Sequence, residues 1–161
     1  MLGHLDAAYN LARWLLRNDD NAREAVQEAY LRAFRFFDDW RGQDAKPWLL
    51  TIVRNECFAL MRQLSKTRDF LEFDEERDSV EAIHATAADP EAQLLSKLEK
   101  DKVNAALAQL PSSFCEVLVL REMEELSYQE IARITGIPIG TVMSRLARAR
   151  IQLRSLLRTE N

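Results

Sequence analysis

The sequence predicts an all-α fold of two small helical domains joined by a flexible acidic linker. Only eight of the 161 residues are Gly or Pro, so few positions favour turns. Apolar residues recur every three or four positions on both sides of one strongly acidic stretch, and this spacing is typical of amphipathic helices. The predicted division is an N-terminal three-helix domain at 1–67, the linker at 68–90, and a C-terminal domain at 91–161.

The first three helices follow from the apolar period. Residues 5–16 form one amphipathic stripe, and the polar residues after it end the helix. Asp20 is the expected cap of a second helix that runs to about Asp38, with Phe34 and Phe37 on its apolar stripe. After a loop that contains Gly42, Pro47 is tolerated only in the first turn of a helix, so a third helix of about five turns is predicted from there.

Charge separates the two predicted domains. Residues 69–91 carry a net charge of −8, whereas 1–68 and 92–161 each carry +2. Nine carboxylates repel one another and disfavour a packed core, which is why this stretch is predicted to be a linker. A helix is expected to start at Pro90, and Pro111 then breaks the chain before a short helix at 114–120.

A helix start and a turn lie close together near the C-terminus. Ser127 and Glu130 have the spacing of a capping box, and Gly136 can adopt the backbone conformation that reverses the chain after two turns. A longer helix is predicted from Ile139 to Leu157. Two helices joined by a tight Gly turn are the ingredients of a DNA-binding helix-turn-helix, so the C-terminal domain is predicted to be a helix-turn-helix domain.

The second helix of this motif carries small polar residues first and arginines after. Residues 131–159 contain six arginines and no acidic residue. The N-terminal turns of a recognition helix meet base edges and the later arginines meet phosphates, although a plain helical hairpin with a solvated basic face is the alternative. The candidate DNA-contacting residues of this domain are Ser127, Tyr128, Thr141, Ser144, Arg145, Arg148, Arg150 and Arg154.

Other functional classes lack support in the sequence. Cys57 and Cys115 stand singly in apolar surroundings, so neither a metal site nor a disulfide is predicted and a reducing cytoplasm fits best. No cofactor is expected. No apolar run is long enough for a membrane span, and residues 1–10 lack the pattern of a signal peptide, so direct membrane insertion is not expected. His4 and His84 are isolated, and no catalytic constellation is evident.

Five motifs occur in the two predicted domains: AVQEAYLRAF at 25–34, WLLTIVRN at 48–55, LSYQEIA at 126–132, GIPIGTV at 136–142 and SRLARAR at 144–150. Together they resemble the extracytoplasmic-function (ECF) sigma factors of bacterial RNA polymerase, in the sigma-70 superfamily. The resemblance extends over about 5–66 and 92–157. It implies sigma region 2 at 1–67, which binds core polymerase and recognises and melts the −10 element, and sigma region 4 at 91–161, which recognises the −35 element.

The resemblance also implies which residues of region 2 bind core polymerase. The second helix of region 2 docks on the clamp helices of the largest polymerase subunit. The matching residues are Val26, Gln27, Glu28, Leu31 and Arg32. Val26 lies on the apolar stripe, so inward packing is as consistent as a role in binding.

The loop after that helix matches the place where sigma factors of this type hold a base flipped from the −10 element. A stacking wall and polar groups can offset the cost of unstacking, and Trp40 is the candidate wall, although a core position is as consistent for Trp40 and for Trp48. The candidate −10 residues are Trp40, Arg41, Gly42, Gln43, Asp44, Trp48, Arg54, Asn55 and Arg62.

The partners implied by the resemblance are RNA polymerase core, through its clamp helices and beta flap, promoter DNA, and a cognate anti-sigma factor. The linker would lie in the polymerase channel later used by RNA, where its charge either mimics nucleic acid or is idle. The alternative function is a stand-alone helix-turn-helix regulator, which would need neither the Trp40 loop nor the surface at 26–28.

Overall fold

The computed structural model describes residues 2–40, 42, 44–70 and 90–159, and within these ranges the regular structure is entirely helical. The all-α prediction is therefore confirmed. The seven α-helices are α1 (Leu5–Leu16), α2 (Asp19–Arg35), α3 (Ala45–Phe70), α4 (Pro90–Gln109), α5 (Ser112–Leu118), α6 (Tyr128–Thr135) and α7 (Ile139–Thr159). Short 3₁₀ turns at Leu2–His4 and Phe37–Asp39 and a π-helical turn at Val119–Met123 complete the regular structure of the described residues.

Helices α1, α2 and α3 pack against one another as the first helical unit, around Leu11, Leu49 and Val53. The connection between α1 and α2 differs from the prediction. The cap of α2 is Asn18, whose side-chain oxygen accepts a hydrogen bond from the backbone N–H of Asn21 at 2.9 Å. Asp20 is already inside the first turn, where its carboxylate faces the positive end of the helix dipole.

The third helix is longer than predicted. It begins at Ala45, two residues before Pro47, and continues for 26 residues to Phe70 instead of ending after about five turns. Pro47 therefore occupies the first turn, as its missing N–H requires. Helix α3 extends into the range predicted to be linker, while α4 begins at Pro90. The predicted linker residues 71–89 lie outside the described residues.

Helices α4 to α7 form the second unit. Pro111 separates α4 from α5, and α5 runs directly into the π-helical turn, which the sequence did not indicate. Ile131, Val142 and Leu146 hold α6 and α7 together beneath the turn at Gly136. The described residues contain no helix both long enough and apolar enough to span a bilayer.

The two helical units pack directly on each other, a contact that the sequence did not predict. Helix α3 packs against α6, and α1 packs against α5. Buried residues of both units, such as Ala8 and Leu50 in the first and Val117 and Leu120 in the second, belong to one continuous apolar cluster. The two units, which are far apart in sequence, therefore share one interface.

Candidate nucleic-acid interface

The turn before α6 is fixed by two reciprocal hydrogen bonds. The backbone N–H of Glu130 donates to Ser127 Oγ at 3.1 Å, and the backbone N–H of Ser127 donates to Glu130 Oε1 at 2.9 Å. The predicted capping box is therefore present. Because its hydroxyl accepts this bond, Ser127 is the N-cap of α6.

The turn between α6 and α7 depends on Gly136, which has φ of +73°, in the left-handed region that favours glycine. Its N–H donates to the carbonyl oxygen of Ala132 at 2.8 Å. The next helix is started by the carbonyl oxygen of Pro138, which accepts hydrogen bonds from the N–H groups of Thr141 and Val142, both at 3.0 Å. These contacts produce the helix-turn-helix geometry that the sequence predicted.

Helix α7 has a buried face and an exposed face. Val142, Leu146 and Ala149 pack inward and fix the rotation of the helix about its axis. On the other side, Ser144 and Arg148 are exposed, whereas Thr141 and Arg145 lie at the flanks and are partly buried. Ser144 Oγ also donates to the carbonyl oxygen of Thr141 at 3.2 Å.

Arg150 and Arg154 differ in their surroundings. Arg150 donates twice to Glu122 Oε1, from Nε at 3.1 Å and from a terminal nitrogen at 2.8 Å, and this hydrogen-bonded carboxylate raises the pKa of Arg150. Arg154 is exposed and lines a shallow surface groove with Ile151, Ser155 and Arg158. Arg150 therefore has an intramolecular acidic partner, while Arg154 faces solvent.

Tyr128, the other predicted contact at the start of α6, lies partly buried beneath Arg121. The guanidinium carbon of Arg121 is 4.7 Å from the Tyr128 ring centroid, and Arg121 also donates to the carbonyl oxygen of Leu126 at 2.8 Å. This cation–π contact fixes the Tyr128 ring at the edge of the helix-turn-helix.

The outer face of α2 carries the predicted core-binding residues. Gln27, Glu28, Leu31 and Arg32 are exposed. Val26 is only 3% exposed and packs inside the helical core, so it offers no contact surface in this structure. Arg32 forms an ion pair with Glu56 of α3.

Sequence reasoning missed an apolar surface at the end of α2. Phe34 is 62% exposed, and Phe36 and Phe37 are also exposed, so the prediction that Phe34 and Phe37 belong to the buried stripe is wrong. The inward face is taken by Ala29, Ala33 and their neighbours, and Phe34 lies about 100° round the helix from Ala33. Phe34 is also four residues after the buried Tyr30, so the helical period alone does not mark it as exposed.

The loop after α2 is built around aromatic contacts. The Trp40 ring centroid is 5.5 Å from that of Phe37 and 6.3 Å from that of Trp48. Trp40 and Trp48 are both partly buried, so one part of each ring packs in the protein. Gly42 is exposed with φ of +79°.

Asp44, at the end of the loop, contacts the start of α3. Asp44 Oδ1 accepts a hydrogen bond from the backbone N–H of Lys46 at 3.4 Å, at the start of α3. The predicted contacts Arg41 and Gln43 lie outside the described residues.

Arg54 does not share the exposed position of Asn55 and Arg62, the predicted −10 residues that follow it on α3. Asn55 and Arg62 are exposed. Arg54 instead forms an ion pair with Glu116 of α5, in which a second guanidinium nitrogen lies 3.4 Å from Glu116 Oε2. Its guanidinium carbon is also 4.4 Å from the Phe58 ring centroid. Glu116 is 3% exposed, so this is a nearly buried acid paired across the two helical units.

Three further residues of the first unit make polar contacts with the second. Lys46 Nζ donates to the carbonyl oxygen of Glu124 at 2.9 Å and lies 3.4 Å from Glu124 Oε1, while Asn10 Nδ2 donates to Glu124 Oε2 at 3.1 Å. Arg17 reaches the end of α4, where it donates to the carbonyl oxygens of Ala108 and Leu110. The first unit supplies the donors in each of these contacts.

Neither cysteine has a thiol placed to react as a nucleophile. Both are buried, and burial is the main cause that raises the pKa of Cys57 to about 12 and that of Cys115 to about 11. A buried thiol with a raised pKa is a poor nucleophile. Among the described residues, no three His, Cys, Asp or Glu side chains cluster in a way that could hold a metal ion.

Comparisons with known proteins identify both halves. The sequence profile of Sigma-70 region 2 matches residues 2–67, and that of Sigma-70 region 4 matches residues 100–153. The ECF RNA polymerase sigma factor SigE of Mycolicibacterium smegmatis is 34% identical over 157 residues, which are 96% of this chain and 58% of that protein. The ECF RNA polymerase sigma-E factor of Haemophilus influenzae is 33% identical over 144 residues, 87% of this chain and 75% of that protein.

A solved structure extends the likeness to three dimensions. The sigma factor RpoE in complex with the anti-sigma factor NepR from Bartonella quintana has a TM-score of 0.81 and 30% identity, with 99% of this chain and 95% of that chain covered. CnrH, solved in complex with the cytosolic domain of CnrY, has the same fold, with a TM-score of 0.67 at 23% identity. Because both Sigma-70 regions match, the sequence relatives are ECF sigma factors and the fold is the same, the chain belongs to the ECF sigma factors of bacterial RNA polymerase.

Proposed function

We propose that this chain binds RNA polymerase core and directs it to promoters by recognising a −35 and a −10 element. The C-terminal helix-turn-helix reads the −35 element in duplex form, and the loop at 40–44 with the exposed face of α3 takes up the −10 strand. The chain itself catalyses no reaction, and it acts in the cytoplasm.

The presence of both sigma regions in one chain carries this proposal. A stand-alone regulator would need only the helix-turn-helix, yet the first unit matches Sigma-70 region 2 over residues 2–67 and has an exposed α2 face. The apolar side chains on and after that helix, including Leu31 and Phe34, form a surface suited to a protein partner. We assign that partner as the clamp helices of the polymerase, with region 4 on the beta flap.

The anti-sigma factor is the second proposed partner. The related Bartonella sigma factor was solved in complex with the anti-sigma factor NepR. An inhibitor of this kind would act on a chain whose two units already face each other. Arg54 is paired with Glu116 in this arrangement, so its proposed contact with the −10 strand requires that pair to separate.

Run-off transcription tests the proposed function. Purified core polymerase is supplied with the full chain and a library of randomised promoters, and the transcripts are sequenced. Transcripts that depend on the chain and share two spaced elements are expected. If core gives no initiation with the chain while the chain alone selects a specific duplex, the stand-alone regulator is the correct function.

Substitutions in α7 then separate base reading from backbone binding. Arg145→Ala should weaken binding by about 1 to 3 kcal/mol and relax selection at one promoter position, as expected for loss of a base contact. Arg154→Ala should weaken all sequences alike and reduce the salt dependence of binding. An equal loss on every sequence from both variants would contradict the assignment of Arg145.

A further inference from the structure

Two apolar side chains stand on the outside of the first two turns of α7. Met143 is 52% exposed and Ile139 is 42% exposed, although Val142 and Leu146 beside them are fully buried. Met143 is more open to solvent than Thr141 or Arg145, which the sequence indicated as base-reading residues and which are partly buried. The structure therefore places a methionine, next to Ser144, where a recognition helix meets base edges.

An isolated exposed apolar residue needs no explanation, but here four nonpolar side chains follow one another at intervals of four residues. They are Ile139, Met143, Ala147 and Ile151, and all four are exposed. Residues at this spacing lie in one row along a helix, about 6 Å apart along its axis. The first three are in the N-terminal half of α7, within the reach of a major groove.

The charge around this row indicates which class of partner it contacts. Residues 131–159 hold six arginines and no acidic residue, so the surface is suited to a polyanion. The thymine methyl is the apolar group that a major groove displays, and apolar side chains read it by direct contact. Methionine is flexible and polarizable, which suits it to such a contact.

We infer that Met143 reads the C5 methyl group of a thymine in the −35 element and so contributes to promoter specificity. This inference rests on the proposed function of the helix-turn-helix. Ala147, one turn further on, borders the same contact, while Ser144 offers a hydroxyl to the neighbouring base edge. Ile151 lies another turn away, beside Arg154, where the helix meets phosphates.

The test removes only the methyl group from the DNA. Holoenzyme made from core and the full chain is bound to the promoter selected from the randomised library, and each −35 thymine on either strand is replaced in turn by deoxyuridine. At one thymine, wild-type binding should weaken about threefold to fivefold, which is the effect of losing one buried methyl contact. Met143→Ala should lose this penalty at that thymine and keep all other preferences.

Two variants serve as controls. Met143→Leu keeps an apolar side chain and should retain the deoxyuridine penalty. Ile151→Ala removes a residue of the same row that is more exposed than Met143, and it should retain the penalty as well. The inference is wrong if wild-type binding is indifferent to every deoxyuridine, if Met143→Ala keeps the penalty, or if the −35 element contains no thymine. A failure of core to initiate on any promoter would instead refute the proposed function.

Discussion

Replacing Glu116 by Gln removes one charge of the ion pair between the two helical units and preserves the shape of the side chain. Glu116 is 3% exposed and Arg54 is 20% exposed, so the charge left behind remains largely out of water. Removing one partner of a buried pair costs about 3 to 5 kcal/mol. Because Arg54 retains some solvent and the face of Phe58, we expect a loss of about 2 to 3 kcal/mol in the free energy of unfolding.

Urea unfolding followed by far-UV circular dichroism measures this loss. With a slope of about 2 kcal/mol per molar urea, the midpoint should fall by about 1 M or slightly more. Glu122→Gln is the matched control, because it removes the acid of an exposed pair with Arg150 and should cost less than about 1 kcal/mol. The double variant Arg54→Met with Glu116→Leu should recover much of the lost stability, since it leaves no buried charge unpaired.

The reasoning fails if Glu116→Gln changes the free energy of unfolding no more than Glu122→Gln does. It also fails if the Arg54 and Glu116 substitutions prove additive, because contacting charges must couple. A loss that vanishes in high salt would show a solvent-screened pair rather than a buried one.

Three further predictions concern the helix-turn-helix and the buried thiols. Gly136→Ala should lower the free energy of unfolding by about 1 kcal/mol through backbone strain alone, since a Cβ there meets nothing within 4 Å. Gly140→Ala, inside α7, should be neutral or stabilising, and chemical denaturation compares the two variants. Ser127→Ala should cost about 1 kcal/mol by removing the α6 cap, and thermal melting should show a lower Tm. The free energy of unfolding should fall as pH rises above about 9, because the Cys57 thiol ionises there in the unfolded chain but stays protonated to about 12 in the folded protein. Urea titrations at several pH values should show a smaller fall for Cys57→Ala.

Local features of the fold could be predicted from sequence because their causes lie within a few residues. The capping box at Ser127 and the left-handed turn at Gly136 each depend on neighbouring positions, and both were predicted correctly. The cap of α2 was misplaced by two residues because Asn18, Asp19 and Asp20 are all good cap residues, and only the backbone shows which of them is outside the helix.

Long-range features were not predictable for a different reason. The contact between Arg54 and Glu116 joins residues 62 positions apart, and no apolar period marks either charge as an interface residue. Hydrophobicity also assigned Phe34 to the core, although the alanines of α2 already fill the inward face. Which apolar side chains remain exposed depends on how closely the partner helices approach, and a periodic pattern does not contain that distance.

The contacts made by Asn10, Arg17 and Lys46 have a consequence for how the chain folds during synthesis. Their partners lie between 78 and 114 residues later in the sequence. A ribosome needs about 5 to 20 s to add 100 residues, whereas helices form within about a microsecond. We therefore expect the first unit to form before the second leaves the ribosome, so that docking of the two units is the last step. Substitutions at their interface should change the rate of that last step and leave the formation of each unit unchanged.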